Sequence, residues 1–240
     1  MSAPAVGTWG VAEVACHVSH VIQKDTDAVL GKPLPDIELS PAAVGVMTAS
    51  LLDEDPERNV TVLADRIDAV GSAFVDLAAD PPSEPISWIG GTQLPPSAVA
   101  CHLLEEVLVH GFDLATAARR RWRLEPAHAA LAIAGGAVPI IAASPQSWVR
   151  AGYDLRVRAR VEFRLRRHER FVLVLDNGLR AELPPSGPRA DAYVSATPAD
   201  LLLVMLGRQS QWRAAVRGKI AVWGRRPQAL FTLLANVSPP

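Results

Sequence analysis

A chain of 240 residues that is 49% hydrophobic and 20% charged has the composition of a globular protein, long enough for one large domain or two ordinary ones. Two cysteines, Cys16 and Cys101, exclude a disulfide scaffold, and without CxxC spacing they exclude a structural zinc knuckle, so both read as small buried hydrophobes. The near-neutral balance hides an asymmetry: residues 1–149 hold 8 Lys+Arg against 18 Asp+Glu and residues 150–240 hold 16 against 7, the simplest source of which is two domains of opposite sign.

The N-terminus, MSAPAVGTWG, has no basic segment followed by an apolar one, so no secretory signal is expected. Thr8 is placed to cap a helix over residues 9–30, and Ser40-Pro41 opens a shorter one. Asp55-Pro56-Glu57 supplies cap, first-turn proline and first-turn acid for a long helix to about residue 80. The proline-rich DPPSEP and LPPS stretches isolate another helix over residues 97–121, and residues 125–143 form a last one. The uncharged run AALAIAGGAVPIIAAS, residues 129–144, is shorter than a membrane span and carries Pro139, which favours a buried helix. This half is an antiparallel helical bundle in outline, and the expectation is a cytoplasmic protein with no membrane partner.

After Ser144 the period changes from helical to two. In YDLRVRARVEFRLRR, Leu155, Val157, Ala159, Val161, Phe163 and Leu165 alternate with arginines and Glu162, the pattern of a half-buried strand. RFVLVLDNGLRAEL reads as a hairpin turning at Asn177-Gly178. Thr197-Pro198-Ala199-Asp200 looks like a capping box opening a short helix that Gly207 ends, and a strand at residues 219–223 and a helix at residues 227–236 complete an α+β domain. The expected architecture is α+β with two domains, residues 1–146 and 147–240.

Within LLEEVLVHGFDLA the apolar face of the fourth long helix carries Glu106 and His110. At about 100° per residue they lie one turn apart, with His102 and Asp113 on the same face. Two such groups at i and i+4 either hold one cation between them or form an intrahelical pair. His17 sits at the edge of the Val14, Val18, Val21 stripe of the first helix, where a histidine is a boundary residue or a ligand. His20, further round, reads as exposed, and both cysteines point away from these faces.

The tryptophan, valine and histidine Trp9, Val11 and His17, with the later E-x-x-x-H-G-F-D-L-A from Glu106 to Ala115, resemble the mycothiol-dependent maleylpyruvate isomerase family within the DinB-like helical-bundle superfamily. ADLLLVMLGR, ending at Arg208, resembles the sterol-carrier-like second domain usual in that family. The resemblance implies a DinB-like bundle followed by a sterol-carrier-like domain. It implies that His17, Glu106 and His110 bind a divalent metal, usually zinc, and Asp113 matches the family's H-x-x-D, as a partner supporting a ligand or as a helix-packing anchor; His102, on the same helix face, is a further candidate supporting partner. Members usually carry a further helix before the tryptophan motif, whereas here the motif almost opens the sequence. The expectation is a misassigned start, or a groove covered by residues 125–143 or by an oligomeric partner.

The resemblance further implies mycothiol, the small thiol of actinobacteria, as cosubstrate. An open metal position ionises a thiol, which adds to an electrophilic small molecule such as a maleylpyruvate-like acid. Isomerisation follows if the adduct rotates and expels the thiol, and conjugation follows if it stays. Arg208, with Arg213 and Arg217 behind it, is the candidate for reading an anionic group in a cleft between the domains. The competing expectation is a non-catalytic paralogue that binds a metal or small molecule, in a monomer or homodimer. A nucleic-acid surface on the Arg156–Arg166 face is disfavoured, because the stripe lacks interleaved aromatics and the acidic half repels phosphate.

Overall fold

The structure, a computed structural model, describes residues 5–238. Helix α1 (Val11–Val29) begins two residues later than the sequence suggests, because Gly10 rather than Thr8 takes the capping position and its N–H is accepted by the Glu13 carboxylate at 3.0 Å. Trp9 is held before the helix by a bridge to Val6. α1 is the axis of the first unit: Val14, Val18, Val21 and Ile22 are buried, and the helix packs along α3 (Val60–Ala78) and α4 (Pro96–Ala117).

Between them, α2 (Pro41–Glu54) opens as expected, with Ser40 Oγ accepting the Ala43 N–H. The start expected for α3 at Asp55-Pro56-Glu57 is displaced to Asn59, whose side chain accepts from Thr61 N. Asp55 ends α2 instead, because its carboxylate is engaged by His20, Arg66 and the Glu57 N–H and cannot cap a following helix. A two-stranded hairpin, β1 (Ile86–Ser87) with β2 (Gln93–Leu94), then presents a tight turn at Ile89–Gly91 against the Pro35–Leu39 stretch. Gly90 sits there at φ 64°, and a Cβ on it would lie 2.3 Å from the Ile37 carbonyl oxygen.

The chain divides into compact units at Leu124 and Glu125, earlier than the boundary at residue 146 expected from the change of period. That change marks where helix gives way to strand, whereas the core changes earlier. The helical stretch made of α5 (Pro126–Leu131), a π-helical segment (Ala132–Ala137) and α6 (Val138–Ala143) packs against elements of the second unit, the helix Pro198–Met205 and the strand Leu179–Glu182. At 18 residues it has the length and composition of a membrane span, but 56% of it is buried within the fold.

The second unit is a five-stranded sheet in the order β5-β4-β3-β6-β7. β3 (Arg158–Leu165), β4 (Arg170–Asp176) and β5 (Leu179–Glu182) form an antiparallel meander, turning at Asn177 and Gly178, both of positive φ as expected. Ala159, Val161, Phe163 and Leu165 are buried, so the alternation predicted the right face. The strand begins later than the pattern, however: Leu155 is exposed, because Asp154 accepts the backbone N–H and guanidinium of Arg156 and turns the chain. β6 (Ala192–Ala196) adds parallel to β3, and β7 (Ile220–Gly224) pairs antiparallel with β6. α7 (Pro198–Met205) begins after Thr197, but its hydroxyl bonds the Asp200 carboxylate instead of the helix backbone, so a side-chain pair stands where a capping box was expected. Gly207, at φ 72°, ends the helix, and α8 (Gln211–Val216) and α9 (Ala229–Asn236) follow, α9 packing on β3. The fold is thus α+β in two units, helical first and sheet-based second.

Gly90→Ala is expected to lower stability by about 1–3 kcal/mol, the cost of a non-glycine residue in a strained left-handed position against backbone. Chemical denaturation of the variant measures this, and an unchanged midpoint would show that the turn relaxes freely.

Candidate metal centre

α1 and α4 run side by side, and the valine stripe of α1 fixes which way His17 points. Its Nε2 lies 3.3 Å from Glu106 Oε2, and His110 Nε2 lies 3.2 Å from the same oxygen. The rings of His17 and His110 meet edge to face with centroids 4.9 Å apart. One donor atom from each of the three residues falls within 4.8 Å of the other two. Donors on a tetrahedral zinc, each about 2.0–2.1 Å from the metal, lie roughly 3.3 Å apart, so the two measured separations fit that ion. Two imidazole nitrogens and one carboxylate oxygen are also the donor types that zinc accepts.

Around this group the remaining polar residues are arranged in a line. Asp113 is buried and accepts from His110 Nδ1 at 3.1 Å, which leaves Nε2 facing Glu106. On the other side His102 Nε2 lies 3.6 Å from Glu106 Oε1, and its Nδ1 is held at 2.8 Å by Asp25, whose carboxylate is fully buried. Asp25 accepts a second bond from the Trp88 indole at 2.9 Å, so the β1–β2 hairpin anchors it. His102 and His110 are therefore wired alike, each with Nδ1 on a buried carboxylate and Nε2 toward Glu106. A carboxylate behind an imidazole fixes its tautomer and orientation, the arrangement common behind metal-binding histidines.

Burial opposes every charge in this cluster, and the neighbours decide the outcome. For His110, desolvation lowers the pKa, but the bonds to Asp113 and Glu106 outweigh it and raise it to about 9. His102 is likewise raised to about 9, by Asp25 and then Glu106, against its desolvation. For Glu106 desolvation raises the pKa, yet His110 and His17 hold it well below the ordinary carboxylate value. His17 moves the other way, lowered chiefly by desolvation despite Glu106. Next to this cluster Glu105 is pushed up to about 7 by burial.

The structure thus brings His17, Glu106, His110, His102 and Asp113 together, as the sequence suggested. Arg208 belongs to the second unit, just beyond α7, where its guanidinium bonds the Leu206 carbonyl. Asp25 and Trp88 were missed. Asp25 carried a signal, a lone acid on the inner side of α1 eight residues after His17, but nothing local in the sequence ties Trp88 to it.

Residues 3–115, nearly the whole helical unit and every candidate ligand, match the family described as the mycothiol maleylpyruvate isomerase N-terminal domain. The N-terminal unit belongs to this family. No curated protein matches the chain. Among solved structures, a mycothiol-dependent maleylpyruvate isomerase is similar at 14% identity over 91% of this chain and 80% of that one, with a TM-score of 0.46. A stereoselective inverting sec-alkylsulfatase from Pseudomonas sp. is similar at 12% identity and a TM-score of 0.34, over 60% of this chain and 24% of that one. The chain therefore spans about a quarter of the sulfatase's length.

The raised His110 pKa has a measurable consequence. The ordinary imidazole value is 6.5 and the folded value about 9, so at pH 7 the ring holds a proton on Nε2 that a cation has to displace. Zinc binding at pH 7 is expected to release that proton, and affinity is expected to climb up to about pH 9 and then level off. Calorimetry in buffers of different ionisation enthalpy measures the release; pH-independent binding with no proton released would contradict the assignment.

Proposed function

We propose that this protein is a divalent-metal-dependent enzyme that uses a small thiol, mycothiol, to isomerise or conjugate a small electrophile such as a maleylpyruvate-like acid. The observation that carries the metal is the convergence of His17, Glu106 and His110, with donors 3.2–3.3 Å apart on Glu106 Oε2. The family of the N-terminal unit supports mycothiol as the thiol. Zinc is the ion that suits the donor set best.

His17, Glu106 and His110 would hold such an ion, which would supply the Lewis acidity that lowers the pKa of a bound thiol. The chain's own residues prepare for this. Asp113 holds the His110 proton on Nδ1 and so keeps Nε2 as the binding atom, while His17, kept neutral by its burial, needs no proton removed. Glu106 supplies the negative charge, and His102, anchored on Asp25, restrains its second oxygen. The thiol sulfur then adds to the electrophilic carbon of the substrate. Rotation about the former double bond and expulsion of the thiol give isomerisation, and retention gives a conjugate.

Elemental analysis of protein purified without a histidine tag is expected to find zinc bound in the wild type, with about one fewer per chain in His17→Ala and in His110→Ala. Both variants should lose thiol-dependent turnover of electrophiles. A wild type that takes up no metal at this site would make Glu106 and His110 a structural pair. Retained metal with no turnover of any thiol and electrophile would favour a binding protein.

Arg208 is the proposed reader of an anionic group on the thiol or the substrate. Arg208→Ala is expected to weaken binding of an anionic thiol to the metal-loaded protein roughly tenfold or more, the usual cost of losing a charge-assisted bond. Unchanged affinity would remove Arg208 from the site.

A further inference from the structure

A second group of donors gathers on another flank of α1. Cys16 and His20, one turn apart, face Asp55 at the end of α2. The Cys16 sulfur lies 3.8 Å from His20 Nε2, that nitrogen lies 2.9 Å from Asp55 Oδ2, and the three donor atoms fall within 4.8 Å of one another. The sequence placed His20 in solvent and discounted Cys16; instead the His20 side chain is only 21% exposed and Cys16 is fully buried. On one side Cys16 packs with Ala15, Leu52 and Leu63, as a core thiol does. On the other it meets an imidazole and a carboxylate, which a core thiol has no need of. His20 Nδ1 is buried without a hydrogen-bond partner, so Nε2 alone fixes the ring in this group.

We propose that Cys16, His20 and Asp55 form a second cation site, one that takes a thiophilic divalent ion such as zinc or cadmium. One sulfur, one nitrogen and one oxygen with a position open form a donor set for such an ion. The separations agree, since sulfur and nitrogen on a tetrahedral zinc lie roughly 3.6 Å apart and nitrogen and oxygen roughly 3.3 Å. His20 and Asp55 are each partly exposed, so the ion enters from their side.

The same geometry shows what competes with the ion. Arg66 is bonded to Asp55 Oδ2, the oxygen that His20 also uses, while Arg58 is spent on the carbonyls of Leu52, Asp55 and Glu57. Arg66 is the more solvent-exposed partner of its pair with Asp55, and it is the group that swings away. On binding, the Cys16 S–H proton is replaced by the ion and leaves to solvent, and the hydrogen that His20 Nε2 gives to Asp55 is displaced and taken up at Nδ1, so that Nε2 becomes the donor.

The test titrates cadmium alone into the full chain and reads the ultraviolet charge-transfer absorption of a cadmium–thiolate bond. A saturable band is expected in the wild type and equally in His110→Ala, which keeps the result independent of the other metal centre. Cys101→Ser should retain the band, Cys16→Ser should abolish it, and Arg66→Gln should tighten binding several-fold. Because Cys16 is fully buried, His20→Gln provides a second variant, expected to weaken binding at least tenfold while the far-ultraviolet circular dichroism stays unchanged. No band in the folded wild type, or a band that survives Cys16→Ser and disappears in Cys101→Ser, would overturn the proposal.

Discussion

A carboxylate taken out of water costs several kcal/mol unless charged or hydrogen-bonding partners replace the solvent, and that constraint organises the helical unit around Glu106. Its Oε2 faces His17 and His110, and its Oε1 faces His102. To bring His17 there, α1 has to pack against α4 in one register, which the valine stripe specifies. To hold the other two rings, the unit buries two more carboxylates, Asp25 and Asp113, one on each side. Asp25, His102, Glu106, His110 and Asp113 alternate in kind along one line, so each group is satisfied by the next. Three carboxylates and two imidazoles thus share one largely buried line with His17 beside it, a concentration of oxygen and nitrogen donors that suits a divalent cation.

The supporting elements follow from that line. The β1–β2 hairpin holds Trp88, whose indole occupies the second oxygen of Asp25, and the hairpin's own turn depends on Gly90 fitting against the Ile37 carbonyl. Trp9, fixed ahead of α1, lies with its ring centroid 5.4 Å from that of His17 and walls the third donor. Precision at the centre thus rests on residues at both ends of α1 and on a short hairpin that contributes no donor itself.

The parts of this arrangement that were legible in the sequence are those set by local periodicity. Glu106 and His110 share a helix face because of their spacing, and the alternation at Ala159, Val161, Phe163 and Leu165 set the buried face of β3. Motif resemblance tied His17 to them. Partners brought in from distant segments were not legible: Asp25 and Trp88 are 63 residues apart, and nothing in either neighbourhood names the other. Asp55 shows the same limit, for a residue with the credentials of a helix cap was drawn away by His20 and Arg66. The division at Leu124 and Glu125 was not legible for a related reason, since the apolar helix ending at Ala143 looks the same whichever core it joins. β6 was missed because five residues alternating Ala192, Val194 and Ala196 give too weak a pattern to stand out.

The parallel pairing of β3 with β6 sets the order in which the second unit can gather its sheet. β3, β4 and β5 follow one another through tight reversals, so little chain entropy is lost in closing each contact. β6 reaches β3 only after the chain has passed both other strands, and β7 reaches β6 after two more helices. Contacts of longer sequence separation form more slowly, so the meander is the natural early folding unit, and its β3 edge stays open until β6 arrives. The outward arginines of β3 guard that edge in the interval: alternating with Glu162, they disfavour its pairing with another copy of itself during synthesis.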